Sequence, residues 1–94
     1  MSNDYRLEIR PECLQAAVRW AEPTGAEIQE VVRRTGFSGR QAADFLGLAD
    51  KGGRQIRRWI SGDAGIPYSA WALLCDVAGL GQIWRVVDND LPQD

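Results

Sequence analysis

The chain has 94 residues, of which 45% are hydrophobic and 26% charged. This length and balance fit one compact domain, 1–94, and are too small for two. Two cysteines and no histidine cannot complete a tetrahedral zinc site within one chain, so we expect Cys13 and Cys75 to be reduced, buried thiols. The N-terminus shows no apolar stretch typical of a signal peptide or membrane span, which predicts a cytoplasmic protein without a membrane partner.

The same composition argues against an enzyme. Without histidine, a nucleophile motif or a phosphate-binding glycine loop, the usual acid–base and metal constellations cannot be assembled. We therefore expect no catalytic residue, no cofactor, no metal and no small-molecule ligand.

The net charge of −2 hides an uneven distribution. Residues 33–58 hold seven cations and two anions, a net charge of +5, while the remaining residues hold four cations and eleven anions, a net charge of −7. Such a basic centre can place one face on DNA while the acidic remainder is repelled.

Helical signals begin near the N-terminus. Pro11 suits the first position of a helix, and the residues that follow it put apolar side chains at helical spacing up to the Glu22-Pro23 break: Leu14, Ala17, Val18 and Ala21. The pattern predicts an N-terminal helix.

Two capping boxes mark the next helices. Thr24 and Glu27 open a helix that should end near Gly36, with an inward stripe of Ile28, Val31 and Val32. Ser38 and Gln41 repeat this pattern and open a short helix that should end at Gly47, with inward side chains Ala42, Phe45 and Leu46.

A third helix separates apolar from cationic side chains. Ile56, Trp59 and Ile60 lie at i, i+3 and i+4, and the opposite side carries Arg54, Arg58 and Ser61. After the loop 62–65, Pro67 can start a further helix that ends at Gly79 and has one apolar face: Trp71, Leu74, Cys75 and Ala78.

The C-terminal segment is ambiguous. Leu80, Ile83, Trp84 and Val87 match helical spacing, but residues 83–87 are also rich in side chains that favour a strand. Their apolar surface suits either the core or a homodimer interface. Residues 88–94 are expected to be a frayed tail.

Residues 38–61 have the layout of a helix-turn-helix, whose second helix enters the major groove of DNA. Arg54 and Arg58 are the leading candidates for base contacts, because a guanidinium can donate two hydrogen bonds to guanine. Gln55 and Arg57 lie on the flanks of the exposed face, where a side chain more often meets a phosphate or a neighbouring base. Candidates for phosphate contacts are Ser38, Gly39, Arg40, Lys51 and Tyr68.

The stretches L-G-L, I-R-R-W-I-S-G and I-P-Y-S-A-W resemble the lambda-repressor-like, Cro/XRE-type helix-turn-helix regulators over about residues 25–80. G-R-Q-I-R-R-W-I-S-G-D followed by I-P-Y-S-A-W-A-L-L-C is similar to plasmid repressors of the KorC type, and also to small phage repressors of anti-CRISPR operons.

The resemblance implies an all-α fold of five helices, with a core at about residues 24–80. In this chain we expect an N-terminal helix before the core and a short C-terminal segment after it, residues 81–94, which holds a dimerisation segment and the tail. It also implies homodimeric repression at a palindromic operator. By position, groove contacts fall on Gly53, Arg54 and Arg58, and phosphate contacts on residues 38–40. Ile56 and Trp59 match its buried positions.

Two alternatives remain open. If Asp50 caps the third helix, the turn has ordinary length but glycines weaken the first helical turn; otherwise residues 51–53 form a longer loop that reaches toward DNA.

The arginine face of the third helix also has alternative interpretations. It could be merely solvated, or it could bind an acidic protein as part of a helical interaction module such as an antitoxin or anti-activator.

Overall fold

The computed structural model describes residues 8–49 and 53–85. It contains four α-helices, α1 (Gly25–Thr35), α2 (Gly39–Leu46), α3 (Arg54–Ser61) and α4 (Tyr68–Val77), preceded by two 3-10 turns at Pro11–Leu14 and Ala17–Arg19. Neither described range contains a strand, so this part of the chain is all-helical, as predicted. Residues 81–85 form neither helix nor strand, and the fifth predicted helix does not occur within these ranges.

Both predicted capping boxes are present. The Thr24 hydroxyl accepts from the Glu27 amide at 3.2 Å while the Glu27 carboxylate accepts from the Thr24 amide at 2.8 Å. Ser38 and Gln41 make the equivalent pair at 3.1 and 2.8 Å. These bonds satisfy amides that a helix start would otherwise leave unpaired, which is why α1 and α2 begin where the sequence predicts.

The core lies where α1 packs between α3 and α4, with α2 closing one side. Trp71, Leu74 and Cys75 of α4 have no measurable exposure and meet Ile56 of α3 and Val31 of α1 in one cluster. Burial of these apolar side chains is the main source of stability in a domain of this size.

The predicted N-terminal α-helix is wrong. Two 3-10 turns stand in its place, joined by extended residues at Gln15 and Ala16, and Val18 is 83% exposed. The reason is tertiary: the Cys13 carbonyl accepts a hydrogen bond from the Trp71 indole at 2.6 Å, and the Gln15 carbonyl accepts one from the Tyr68 hydroxyl at 2.9 Å. Carbonyls that an α-helix would use internally are bonded to α4 instead.

An ion pair fastens this N-terminal segment to α1. The Glu27 carboxylate accepts from the Arg10 guanidinium at 2.9 and 3.0 Å and from the Arg10 amide at 3.0 Å. Burial alone would raise the pKa of the Glu27 carboxyl, but the hydrogen bonds from Arg10 and from the Thr24 amide lower it to about 2. Glu27 thus caps α1 and anchors the chain before it.

One inward position in α2 is also wrong. Ala42 is buried and Leu46 half-buried, as predicted, but Phe45 is 42% exposed and Ala43 is buried instead. Two adjacent buried alanines turn the core face of this short helix away from Phe45. Its ring packs on Phe37, with centroids 5.4 Å apart.

Candidate nucleic-acid interface

Helix α3 has one buried and one exposed side, as predicted. Ile56 and Trp59 are 1% and 3% exposed. The other side of the helix is exposed and carries Arg54, Arg57, Arg58 and Ser61. Because the indole and isoleucine anchor α3 against the core, the three guanidinium groups are held on a rigid element that faces solvent.

Gly53 determines where α3 begins. It is the N-cap of the helix, has φ of 78°, and is buried. A Cβ at this position would lie 2.6 Å from the Gly39 carbonyl carbon and 2.8 Å from the Gly39 oxygen. Only glycine combines this left-handed conformation with so close a backbone approach, so the starts of α2 and α3 are packed directly together.

The start of α3 bears on the length of the turn. Helix α2 ends at Leu46 and α3 starts at Arg54 with Gly53 as its N-cap, so the connection is longer than three to four residues. Asp50 and Lys51 lie outside the described residues. The burial of Gly53 gives it a packing role, and its base contact stays a prediction.

At the start of α2, Ser38 and Arg40 are exposed and Gly39 is half-buried. The capping box uses the Ser38 amide and hydroxyl. The Arg40 side chain and the following amides of this helix end provide an environment suited to an anion. The structure therefore keeps these three residues together on the surface beside α3.

Tyr68 lies in a different environment. Its hydroxyl donates to the Gln15 carbonyl at 2.9 Å, and its ring meets Trp20 edge to face at 5.2 Å. The hydroxyl hydrogen is thus used within the chain, and the phosphate contact at Tyr68 stays a prediction.

Charge around the interface is partly offset by Glu30, a carboxylate that lies just outside the basic stretch 33–58. Glu30 pairs with Arg33 and Arg34, each at 2.6 Å. Hydrogen bonds from Arg33 and then Arg34 lower the pKa of the Glu30 carboxyl to about 2. The i, i+3 and i, i+4 spacing of these residues along α1 is the sequence signal for such pairs.

The predicted dimer residues are divided among different environments. Ile83 is 8% exposed within the single chain, Leu80 is half-buried and Trp84 is 37% exposed, while Val87 lies outside the described residues. Sequence reasoning missed a neighbouring surface: Leu73 and Val77, one helical turn apart on α4, are 42% and 38% exposed. Leu73 and Trp84 line one shallow cavity of about 300 Å³.

The cysteines are free and buried, as predicted. Burial, and then the nearby Cys13, raise the pKa of the Cys75 thiol to about 12; burial also raises the pKa of Cys13. Both therefore stay protonated at neutral pH. Within residues 8–49 and 53–85, no three His, Cys, Asp or Glu side chains are grouped to hold a metal, and no helix is long and apolar enough to span a membrane.

Over residues 8–49 and 53–85, the fold and the site define a small all-helical structure with an arginine-bearing face of α3 held rigidly above the core. The transcriptional repressor protein KorC of Escherichia coli is 58% identical over 87 residues, covering 93% of this chain and all of that protein. A second KorC repressor from the same species is 57% identical over 79 residues, covering 84% of this chain and 93% of that protein.

The chain therefore belongs to the KorC family of transcriptional repressors, as the sequence stretches around α3 and α4 indicated. No family model matches the chain, and no solved structure matches it either. The wider lambda-repressor-like class stays a prediction.

Proposed function

We propose that this repressor binds operator DNA through α2 and α3 as a helix-turn-helix, with α3 in the major groove. The observation that carries the proposal is the orientation of α3, which buries Ile56 and Trp59 and exposes Arg54 and Arg58. A helix in a groove must be braced on one side and carry donors on the other, and α3 meets both requirements.

Within this proposal, Arg54 and Arg58 contact bases, while Gln55 and Arg57 at the flanks contact a base or a phosphate. Arg40 and the start of α2 bind the phosphate backbone. Gly53 acts indirectly, because its contact with Gly39 fixes the distance between the phosphate-binding helix end and the base-reading helix.

The proposal includes a homodimer on a palindromic operator, in the cytoplasm, as predicted from the sequence. The exposed side chains of Leu73, Val77 and Trp84 support self-association, since apolar side chains on neighbouring surface favour burial against a partner. A two-fold interface would bring the same patch of both copies together.

Selection of bound duplexes from a random pool tests the proposal, and a palindrome with half-sites near one helical turn apart is expected. Arg58→Ala should weaken binding to the selected operator by about 1–3 kcal/mol and relax the preference at one base pair. Arg40→Ala should weaken binding to all duplexes alike, and the slope of log affinity against log salt concentration should become shallower by about one.

Arg19→Ala, a change of an exposed arginine outside α2 and α3, serves as the control and should leave affinity within about twofold. If no duplex is enriched and affinity does not depend on the duplex sequence, the proposal of operator binding is wrong. The arginine face would then be better explained as the surface of a protein-interaction module.

A further inference from the structure

A groove runs between α1 and α3 and is closed at one end by the start of α2. Its volume is about 840 Å³. At the opposite end the two helices touch, since a Cβ at Gly25 would overlap the Ile60 carbonyl. Apolar side chains form the floor: Ala26, Val32, Ile56 and Ile60.

The rim of this groove is basic. Arg33, Arg40 and Arg57 line it, against one carboxylate, Glu30. Arg33 and Arg34 pair with Glu30, so the positive charge of the rim comes mainly from Arg40 and Arg57. A ligand that fits both surfaces needs apolar groups for the floor and negative groups for the rim.

The DNA backbone meets only half of this requirement. Its phosphates can pair with the arginines, but a sugar-phosphate strand offers little to the apolar floor. An acidic amphipathic peptide meets both, because leucine-like side chains on one helical face can enter the groove while carboxylates on either side reach the arginines. Helix α3 has eight residues, or about 12 Å, which corresponds to roughly two turns of a docked helix.

We propose that this groove docks an acidic amphipathic segment of a partner protein, and that docking excludes operator DNA. The exclusion rests on the function proposed above: Ser38, Gly39, Arg40 and Arg57 line the groove and belong to the same proposed DNA-contacting surface. A partner that carries such a segment would release the repressor from its operator by competing for these residues.

The test uses a display library of 14-residue peptides selected against the full chain. Enriched peptides should carry Asp or Glu together with apolar residues at i, i+3 or i+4 and i+7. Ala26→Glu should weaken their binding at least about tenfold, because the added carboxylate lies in the groove and repels theirs. Ala26 is exposed at the second position of α1, where glutamate is compatible with the helix dipole.

Ala17→Glu makes the same change at an exposed alanine outside the groove and should leave peptide binding unchanged. Ala26→Glu should also lower operator affinity, because the same carboxylate repels the phosphates that the proposed function places beside Arg40 and Arg57. The enriched peptide should displace a labelled operator duplex from the native chain.

Enrichment without acidic residues, no enrichment, or equal binding to Ala26→Glu and the native chain would overturn the docking site. Simultaneous binding of peptide and operator would overturn the exclusion. Failure of the proposed DNA binding is distinguishable, because peptides would then still bind in a manner sensitive to Ala26→Glu while no duplex bound at all.

Discussion

Gly53 is a left-handed glycine in close contact with another helix. Its replacement by alanine should destabilise the chain more than the same change at a left-handed glycine that has open space around it. Gly36, at the end of α1, is the matched control: its φ of 79° nearly equals the 78° of Gly53, but nothing lies within 4 Å of its Cβ position. Gly36→Ala therefore measures the conformational cost alone, about 1–2 kcal/mol.

Gly53→Ala carries the same cost and adds the overlap with the Gly39 carbonyl at 2.6 and 2.8 Å. Both partners of this overlap are backbone, so α2 and α3 must separate, and overpacking of this kind costs a further ~1–3 kcal/mol. The expected total is about 2–5 kcal/mol. A third variant, Gly39→Ala, meets only an ordinary contact at 4.0 Å and should be neutral or stabilising by up to about 1 kcal/mol.

Urea unfolding followed by tryptophan fluorescence measures all three variants, and the midpoints are comparable if the denaturant slope stays the same. Operator affinity supplies a second measurement, because separation of α2 from α3 should lower it for Gly53→Ala but leave it unchanged for Gly36→Ala. Equal destabilisation by Gly53→Ala and Gly36→Ala would refute the close approach of the two helices.

Three further outcomes can be measured on the same protein. Native stability should fall as pH drops from about 5 toward 2, because the pKa of Glu27 is lowered to about 2 from about 4.3 in the unfolded chain. Glu27→Gln should be less stable at pH 7 and should lose the part of this dependence that Glu27 contributes, while Glu30, whose pKa is also lowered to about 2, keeps its own part. An unchanged pH profile in Glu27→Gln would contradict this role of Glu27. Trp71→Phe removes the donor to the Cys13 carbonyl and should cost about 1–3 kcal/mol in urea unfolding; no change would exclude that bond as a stabilising contact. At pH 8, Cys13 and Cys75 should react with a thiol reagent much more slowly than in urea, since both are buried and their pKa values are raised; comparable rates would show that they are accessible.

The elements that sequence analysis predicted well depend on neighbours close in the chain. Thr24 with Glu27 and Ser38 with Gln41 need only each other to start a helix, and both pairs form as expected. The orientation of Arg58 likewise follows from the i, i+3 spacing of Ile56 and Trp59 within one helix.

The wrong predictions depend on residues far apart in sequence. The N-terminal segment avoids an α-helix because Trp71, 58 positions beyond Cys13, takes the Cys13 carbonyl as its partner. The packing of Gly53 against Gly39, a contact between the starts of two helices, was likewise not predicted from the sequence. Periodicity within one segment carries no information about such pairings.

The hydrogen bonds from α4 to the N-terminal segment also set an order of events during synthesis. A ribosome makes Cys13 and Gln15 long before Tyr68 and Trp71, so the carbonyls of Cys13 and Gln15 have to wait for these partners until α4 emerges. By then α1, α2 and α3 have all left the ribosome. The segment around Cys13 and Gln15 is thus translated early but completes its native contacts late.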